Sequence, residues 1–204
     1  MITIIDYGLG NLASIKNMLK RIGVKSIITD DPETIAAAEK LILPGVGAFE
    51  MGMNYIREKG LLDVMNQRVL EDKIPVLGIC LGMQLLSRHS EEGDAEGLGW
   101  IEGDTIKFDF EPSKNLKIPH MGWSEISQEH SSQLMHEMYE DPRFYFVHSY
   151  HVVCDDPEDV LLSVDYGMKV TCGVEKGNIM GVQFHPEKSH KFGMKLLSNF
   201  ANNY

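Results

Sequence analysis

Short runs of β-branched and aliphatic residues alternate with helical patterns through the first half of the chain. The runs predict strands over residues 2–5, 25–28, 40–43 and 75–79. Helical periodicity lies between them, over residues 11–21, from Asp31-Pro32 onward, over 51–58 and 61–71, and from Leu81. Strands that alternate with helices form βαβ units around a parallel sheet. The pattern therefore predicts a doubly wound α/β core.

From about Ile101 the periodicity changes toward strands. We expect these at residues 105–108, 117–119, 143–147, 150–154, 160–164, 169–175 and 179–184. A closing helix is predicted from Ser189, because Phe192, Leu196 and Phe200 recur at helical spacing and form one apolar stripe. No linker or repeat interrupts the pattern. We therefore expect a single domain over residues 1–204, with a mostly parallel central sheet flanked by helices and extended by antiparallel strands.

Composition excludes several classes of function. The 204 residues carry a formal net charge of -11, which opposes binding to nucleic acid or to an anionic membrane surface. Three cysteines are too few for a disulfide framework, and a hydrophobic share of 43% supplies a core without one. No basic leader and no long apolar span occur in the sequence. We expect a cytoplasmic protein with no membrane partner.

The strongest local signal is the apolar strand ending in Gly-x-Cys-x-Gly at residues 78–82, directly before a helix. This is the form of a nucleophile elbow, in which flanking glycines permit a strained turn that lifts the central side chain above the sheet edge. A helix N-terminus also favours the thiolate form of cysteine. Cys80 is therefore a candidate nucleophile, and the alternative is a small buried cysteine packed between glycines.

A base for such a nucleophile is offered by His185 and Glu187, at the end of the predicted strand 179–184. Residues two apart in an extended chain face the same side, so the carboxylate can approach the imidazole. Glu187 would then fix the tautomer of His185, which would exchange a proton with the thiol and the leaving group. Taken alone, His-Pro-Glu is more often a structural turn.

Acyl chemistry also needs donors for a tetrahedral oxyanion. The elbow supplies one in the backbone N–H of Leu81, the residue after the candidate nucleophile. A second donor is predicted from Pro-Gly-Val-Gly at residues 44–47, which follows another apolar strand and has a flexible, accessible backbone. Without the Cys80 and His185 motifs, a plain strand-to-helix turn would be the preferred interpretation.

Together these motifs resemble those of class I glutamine amidotransferases. The residues that carry the resemblance are Leu-Pro-Gly-Val-Gly at 43–47, Gly-Ile-Cys-Leu-Gly-Met-Gln at 78–84 and Phe-His-Pro-Glu at 184–187. Asp-Tyr-Gly-Leu-Gly-Asn-Leu at 6–12, Pro-His-Met-Gly-Trp at 119–123 and Phe-Val-His-Ser-Tyr at 146–150 make the chain most similar to the glutaminase subunits of imidazole glycerol phosphate synthase. The resemblance covers essentially the whole chain and implies the family's flavodoxin-like α/β fold.

The resemblance implies a cysteine mechanism that uses no cofactor. Cys80 would attack the side-chain amide of L-glutamine, His185 would shuttle protons, and Glu187 would orient the histidine. The backbone N–H groups of Val46 and Leu81 would face the oxyanion. The residues that would hold the substrate are Gly47, Gln84, Ser149 and Tyr150.

The resemblance also implies a heterodimer with a cyclase subunit of HisF type. That partner would use the ammonia to form imidazole glycerol phosphate and AICAR in histidine biosynthesis. The docking face would include Asn11, Trp123 and Lys188. Family members usually have asparagine after the tryptophan, whereas this chain has Ser124, so an interface hydrogen bond there is predicted to be lost or altered.

Three alternatives stay open at this stage. A paralogue could supply ammonia to a sugar amidotransferase in surface-polysaccharide synthesis, as Ser124 and the Gly99-Trp100 pair suggest. Gly-x-Gly-x-x-Ala at residues 8–13, with Asp30 further on, has the form of a dinucleotide-binding fingerprint. The chain could also be a catalytically silent interaction module.

No metal site is expected. His148, His151 and Cys154 have the spacing of metal ligands, but residues three apart on a strand face opposite sides. We predict that His120 lies on a surface or loop, and that the acidic stretch at residues 91–96 is a solvated loop.

Overall fold

The elements of the fold follow the predicted alternation closely. The structure is a computed structural model, and it describes residues 1–110 and 116–204. Strands β1 to β14 are, in chain order, Ile2–Ile5, Ser26–Thr29, Lys40–Gly45, Val76–Cys80, His89–Ser90, Ala95–Glu96, Gly103–Lys107, His120–Glu125, Ser127–Gln128, Arg143–His148, Tyr150–Cys154, Val160–Asp165, Lys169–Lys176 and Ile179–Val182. Helices α1 to α6 are Leu12–Arg21, Pro32–Ala36, Phe49–Glu58, Leu62–Asn66, Leu81–Leu85 and His190–Asn203.

A parallel sheet forms the centre of the molecule. Its strands lie in the order β2-β1-β3-β4-β14, and each neighbouring pair runs parallel. Beyond β14 the sheet continues through β13, β11 and β7 by antiparallel pairing. A separate antiparallel ribbon pairs β8 with β10. The predicted α/β class, with a mostly parallel sheet and added antiparallel strands, is confirmed.

Helices cover both faces of the parallel strands. On one face, Ile15 and Leu19 of α1 pack in the same buried cluster as Phe200 of α6. On the other face, a second cluster joins Phe49 of α3 to Leu81 of α5. Strands β1 and β4 are buried along their whole length. This two-sided burial explains why those strands are almost entirely apolar and lack the regular alternation with polar residues of a half-exposed strand.

Three details differ from prediction. The strand predicted at 117–119 is wrong, because the strand there begins at His120, after Pro119, which has no N–H to donate to a ladder. The surface placement of His120 is also wrong, since the side chain is 1% exposed. In the acidic stretch, Ala95–Glu96 forms β6 and pairs with β5, so that stretch is not a simple loop.

The topology brings three chain segments to one edge of the sheet. Strands β3, β4 and β14 are parallel neighbours, with Gly45 opposite Cys80 and Val182 opposite Ile79. Their carboxyl ends therefore meet, and the turns after them carry the three sequence motifs. Within residues 1–110 and 116–204, no helix has the length and apolar character needed to cross a membrane.

Candidate active site

Cys80 stands on a strained turn at the junction of β4 and α5. Its backbone has φ 54° and ψ −109°, a conformation that L-residues rarely adopt. A Cβ on Gly78 would lie 2.6 Å from the carbonyl oxygen of Gly82, and a Cβ on Gly82 would overlap the carbonyl of Leu43. Both glycines are therefore required by close packing, and the turn presents the sulfur at the sheet edge.

His185 is held beside this turn by backbone and side-chain contacts. Its N–H donates to the carbonyl of Tyr145 at 2.9 Å, and its carbonyl accepts from Ser189 Oγ at 2.6 Å. His185 Nδ1 lies 2.8 Å from Glu187 Oε1, and both side chains are 2% exposed. Glu187 reaches the ring because Pro186–Lys188 forms a 3-10 turn, whereas the sequence had suggested an extended chain.

The electrostatics favour a charged imidazole. Burial by itself would lower the pKa of His185, but interactions with Cys80 and with Glu187 outweigh it and raise the pKa to about 9. Contact with the Cys80 side chain contributes most to this rise in the pKa of His185, and the hydrogen bond to Glu187 contributes next. The buried imidazole of His185 is therefore protonated at neutral pH, beside the side chain of Cys80.

A cavity of about 310 Å³ opens above the cysteine. This is a volume suited to a small polar molecule. Its lining residues are Val46, Gly47, Cys80, Leu81, Gln84, Glu92, Pro119, Val147, His148, Ser149, Tyr150 and His185. The structure thus places the predicted nucleophile, base, oxyanion and substrate residues around one space, with Glu187 behind His185.

The predicted oxyanion turn borders the same cavity as the base. Val46 is 41% exposed and follows Gly45, which pairs with Cys80 in the sheet register. The hydroxyl of Tyr7 packs so closely against Gly45 that any Cβ there would overlap it. That hydroxyl is buried and has no hydrogen-bond partner among the described residues, and burial together with Cys80 raises the pKa of Tyr7.

Two buried histidines form a hydrogen-bonded chain along one wall. His148 Nδ1 donates to the carbonyl of Tyr150 at 2.7 Å, which leaves its Nε2 to accept from His120 Nδ1 at 3.0 Å. His120 Nε2 then accepts from Ser124 Oγ at 2.9 Å. Burial lowers the pKa of His120 to about 4 and that of His148 to about 3, so both rings are neutral.

Sequence reasoning missed several residues of this site. Glu92 lines the cavity and its Oε2 accepts the backbone N–H of Phe49 at 2.9 Å, although its stretch was interpreted as solvated. Tyr7, His120 and Gln183 are also buried beside the site. A signal existed for Gln183, since it stands two residues before His185 at the end of the same strand.

The three predicted interface residues lie on one side of the molecule. Trp123 is 44% exposed and stacks on His190, with ring centroids 5.4 Å apart. Lys188 Nζ lies 5.5 Å above the ring of Tyr145, which pairs with Trp123 across β8 and β10. Asn11 is exposed at the start of α1, which packs against the Pro186–Lys188 turn.

Other candidate ligand sites receive little support. Among the described residues, no group of three or more His, Cys, Asp or Glu side chains could hold a metal ion. Asp30, the acidic residue of the possible dinucleotide fingerprint, accepts from Lys59 Nζ at 2.8 Å. Its carboxylate is thus engaged in an ion pair. A Cβ added to Gly10 would lie 3.5 Å from the backbone of Gly45.

The comparisons with known proteins agree with this geometry. The model of the glutamine amidotransferase class-I family matches residues 3–203. A protein of Methanococcus maripaludis named imidazole glycerol phosphate synthase subunit HisH 2 is 54% identical over 98% of both chains. A protein of the same name in Pseudomonas aeruginosa is 52% identical over 98% of both chains, and a HisH subunit of Leptospira interrogans is 45% identical over 99% of this chain and 100% of its own.

Solved structures support the fold. A crystal structure titled as a glutamine amidotransferase aligns with a TM-score of 0.76 at 20% identity, over 98% of this chain and 96% of that chain. The PurLQS structure from Thermotoga maritima aligns with a TM-score of 0.70 at 19% identity, over 99% and 97%. The chain belongs to the class-I glutamine amidotransferase family and, within that family of enzymes, to the HisH subunits of imidazole glycerol phosphate synthase.

Proposed function

We propose that this chain hydrolyses L-glutamine to glutamate and ammonia through a thioester on Cys80. The observation that carries the proposal is the buried Cys80, His185 and Glu187 arrangement, with a 2.8 Å contact between His185 Nδ1 and Glu187 Oε1 at the floor of the cavity. The thiolate attacks the amide carbon, and the His185 imidazolium gives its proton to the departing ammonia. Water then cleaves the thioester, with His185 as the base.

The rest of the cavity suits glutamine. The N–H groups of Val46 and Leu81 are assigned to the tetrahedral oxyanion, because both residues border the sulfur in the cavity wall. Gly47, Gln84 and the Ser149-Tyr150 backbone are assigned to substrate binding. The carboxylate of Glu92 in the same wall supplies a negative charge that complements the α-ammonium of an amino acid.

The partner is inferred to be a cyclase subunit of HisF type in a heterodimer. The related proteins are named as subunits of imidazole glycerol phosphate synthase, so a second subunit completes the enzyme. The face carrying Asn11, Trp123 and Lys188 is the proposed contact surface. Ammonia passed through a closed interface stays unprotonated, and the partner would use it to form imidazole glycerol phosphate and AICAR in histidine biosynthesis.

A second candidate acceptor is a sugar amidotransferase of surface-polysaccharide synthesis. Two relatives at 54% and 52% identity carry the number 2 in their names, which fits a paralogous copy. Trp100 of the Gly99-Trp100 pair is buried and donates to Asn66 Oδ1 at 2.8 Å, so the tryptophan packs within the fold and does not reach a docking face. Ser124 bonds to His120 within the chain, so its effect on docking is indirect.

We also infer that residues 1–204 form a single domain in the cytoplasm. The family match over residues 3–203 and the sheet shared by both halves of the chain support one domain. The three cysteines are unpaired in the structure, as in a reducing compartment.

The decisive experiment measures glutamate release by the full-length chain, alone and with a HisF-type cyclase. We expect the cyclase and its ligand to accelerate hydrolysis. Cys80→Ala should abolish hydrolysis in both conditions and leave the melting temperature unchanged. A chloroketone analogue of glutamine should label Cys80 in the native chain. Glutaminase activity that persists in Cys80→Ala would refute the proposal.

The acceptor is tested separately. Complementation of a histidine auxotroph that lacks its own glutaminase subunit would support the HisF-type partner. Failure to complement, together with ammonia transfer to a sugar amidotransferase, would favour the second candidate.

A further inference from the structure

The side chain of Gln183 contacts the reacting sulfur from below the cavity. Gln183 follows β14 and is 0% exposed, and its backbone N–H is fixed by the carbonyl of Cys172 at 2.9 Å. Its Nε2 lies 3.8 Å from Cys80 Sγ, and its Oε1 accepts from Gln84 Nε2 at 3.0 Å. The distance of 3.8 Å is at the long end of the range for a hydrogen bond to the large sulfur atom.

The orientation of both amides follows from one carbonyl. The backbone oxygen of Tyr150 can only accept, so Gln84 must turn its NH₂ group toward it, at 3.1 Å. The same NH₂ group supplies its second hydrogen to Gln183 Oε1. Rotating Gln183 by half a turn would set two NH₂ groups against each other. The NH₂ group of Gln183 is therefore the end that faces Cys80.

We propose that Gln183 is a further catalytic residue, whose side-chain N–H stabilises the Cys80 thiolate. The inference rests on the proposed function, which makes Cys80 the nucleophile. A thiolate accepts a hydrogen bond more strongly than a thiol, and the contact lies in a buried site where such bonds gain strength. Gln183 thus assists the anion with a hydrogen bond, in addition to the charge of the His185 imidazolium.

The titratable groups that interact with Cys80 are Tyr7, from the turn after β1, and His185, with Glu187 behind the ring. His185 and Glu187 favour the anion by charge and are left unchanged in the test. Replacing Gln183 should therefore alter how the reactivity of the sulfur depends on pH, beyond any general loss of packing.

The test uses Gln183→Glu and Gln183→Met in the full-length chain. Glutamate keeps the shape and the acceptor for Gln84, but places a negative oxygen against the sulfur. Methionine has a similar length and no donor. Iodoacetamide, which carries no charge, is used to alkylate Cys80 across a range of pH, and the site of labelling is read by mass spectrometry of peptides. Gln128, which is exposed on β9, receives the same two substitutions as a matched control.

On the rising part of the pH profile, where most of the thiol is still protonated, we expect both Gln183 variants to alkylate Cys80 at least about tenfold more slowly than the native chain. The pH at which the alkylation rate reaches half its maximum should rise by about one unit, and by more for Gln183→Glu. The maximum rate at high pH should stay near the native value. The Gln128 variants should match the native profile. Glutaminase kcat/KM of Gln183→Met should recover in part at alkaline pH for the same reason.

The outcomes separate this inference from the proposed function. If the native chain is an active glutaminase and both Gln183 variants keep the native pH profile of alkylation, the inference is wrong. A uniform loss of rate at every pH also overturns it, because that pattern indicates damaged packing. If the native chain neither hydrolyses glutamine nor reacts with the chloroketone, the proposed function fails first. Should Gln183→Met fail to fold, Gln183→Glu carries the test.

Discussion

Replacing Glu187 by glutamine removes one negative charge from behind the catalytic imidazole. The carboxylate is 2% exposed and lies 2.8 Å from His185 Nδ1. Glutamine preserves the shape and one acceptor, so the turn at Pro186–Lys188 should survive. The substitution removes the stabilisation of the His185 imidazolium by Glu187, so that only the interaction with Cys80 then raises the pKa of His185.

The size of the effect follows from the pKa of His185. The rise from 6.5 to about 9 corresponds to roughly 3 kcal/mol in favour of the imidazolium, shared between Cys80 and Glu187. A hydrogen bond to a charged group contributes about 1.5–3 kcal/mol. Taking about 2 kcal/mol for Glu187, we expect kcat/KM to fall roughly 30-fold. His185→Ala should cost roughly a thousandfold, because it removes proton transfer altogether.

The assay is glutamate formation measured against pH. A raised pKa keeps His185 charged until high pH. The rate of glutamate formation by the native chain should therefore fall on the alkaline side with a midpoint near pH 9. In Glu187→Gln the imidazole of His185 should lose its proton at lower pH. The midpoint of the alkaline fall in rate should therefore move by about one to one and a half pH units toward neutrality. An unmoved midpoint, or a loss equal to that of His185→Ala, would show that Glu187 does not act through the histidine.

Gly82→Ala should lower the free energy of unfolding by about 3 kcal/mol in urea melts, because its Cβ meets the carbonyl of Leu43; an unchanged midpoint would contradict this. His120 and His148 are neutral when folded, with pKa values of about 4 and about 3 against an ordinary 6.5. Stability from them is therefore present above pH 6.5 and declines below it, by roughly 1 kcal/mol per ring at about pH 5.5. Flat stability from pH 7 to 5 in denaturant titrations would refute their neutrality. Tyr7→Phe removes a buried hydroxyl that has no hydrogen-bond partner in the described part of the chain, and it should raise the free energy of unfolding by up to about 1 kcal/mol. A lower melting temperature would show that the hydroxyl does have a partner.

The sequence predicted the core because its signals are local. The inner parallel strands are buried on both faces, which requires mostly apolar side chains, and the crossover helices show their own periodicity. The Gly-x-Cys-x-Gly turn is also readable locally, since Gly78 and Gly82 are the residue types that its close packing permits. Adjacent parallel strands end on one edge, so their motifs could be expected to meet.

The sequence did not predict contacts between segments far apart in the chain. His120 looked like a surface residue until β8 paired with β10 and buried it against His148, 28 positions further on. Gln183 gained its chemical direction from Tyr150 and Gln84, which lie on other elements. Periodicity records which face of an element is buried, whereas the partner of a buried polar group depends on packing across the sheet. The sequence alone thus determined the α/β core and the reactive turn, and only the tertiary structure decided which polar groups surround the sulfur.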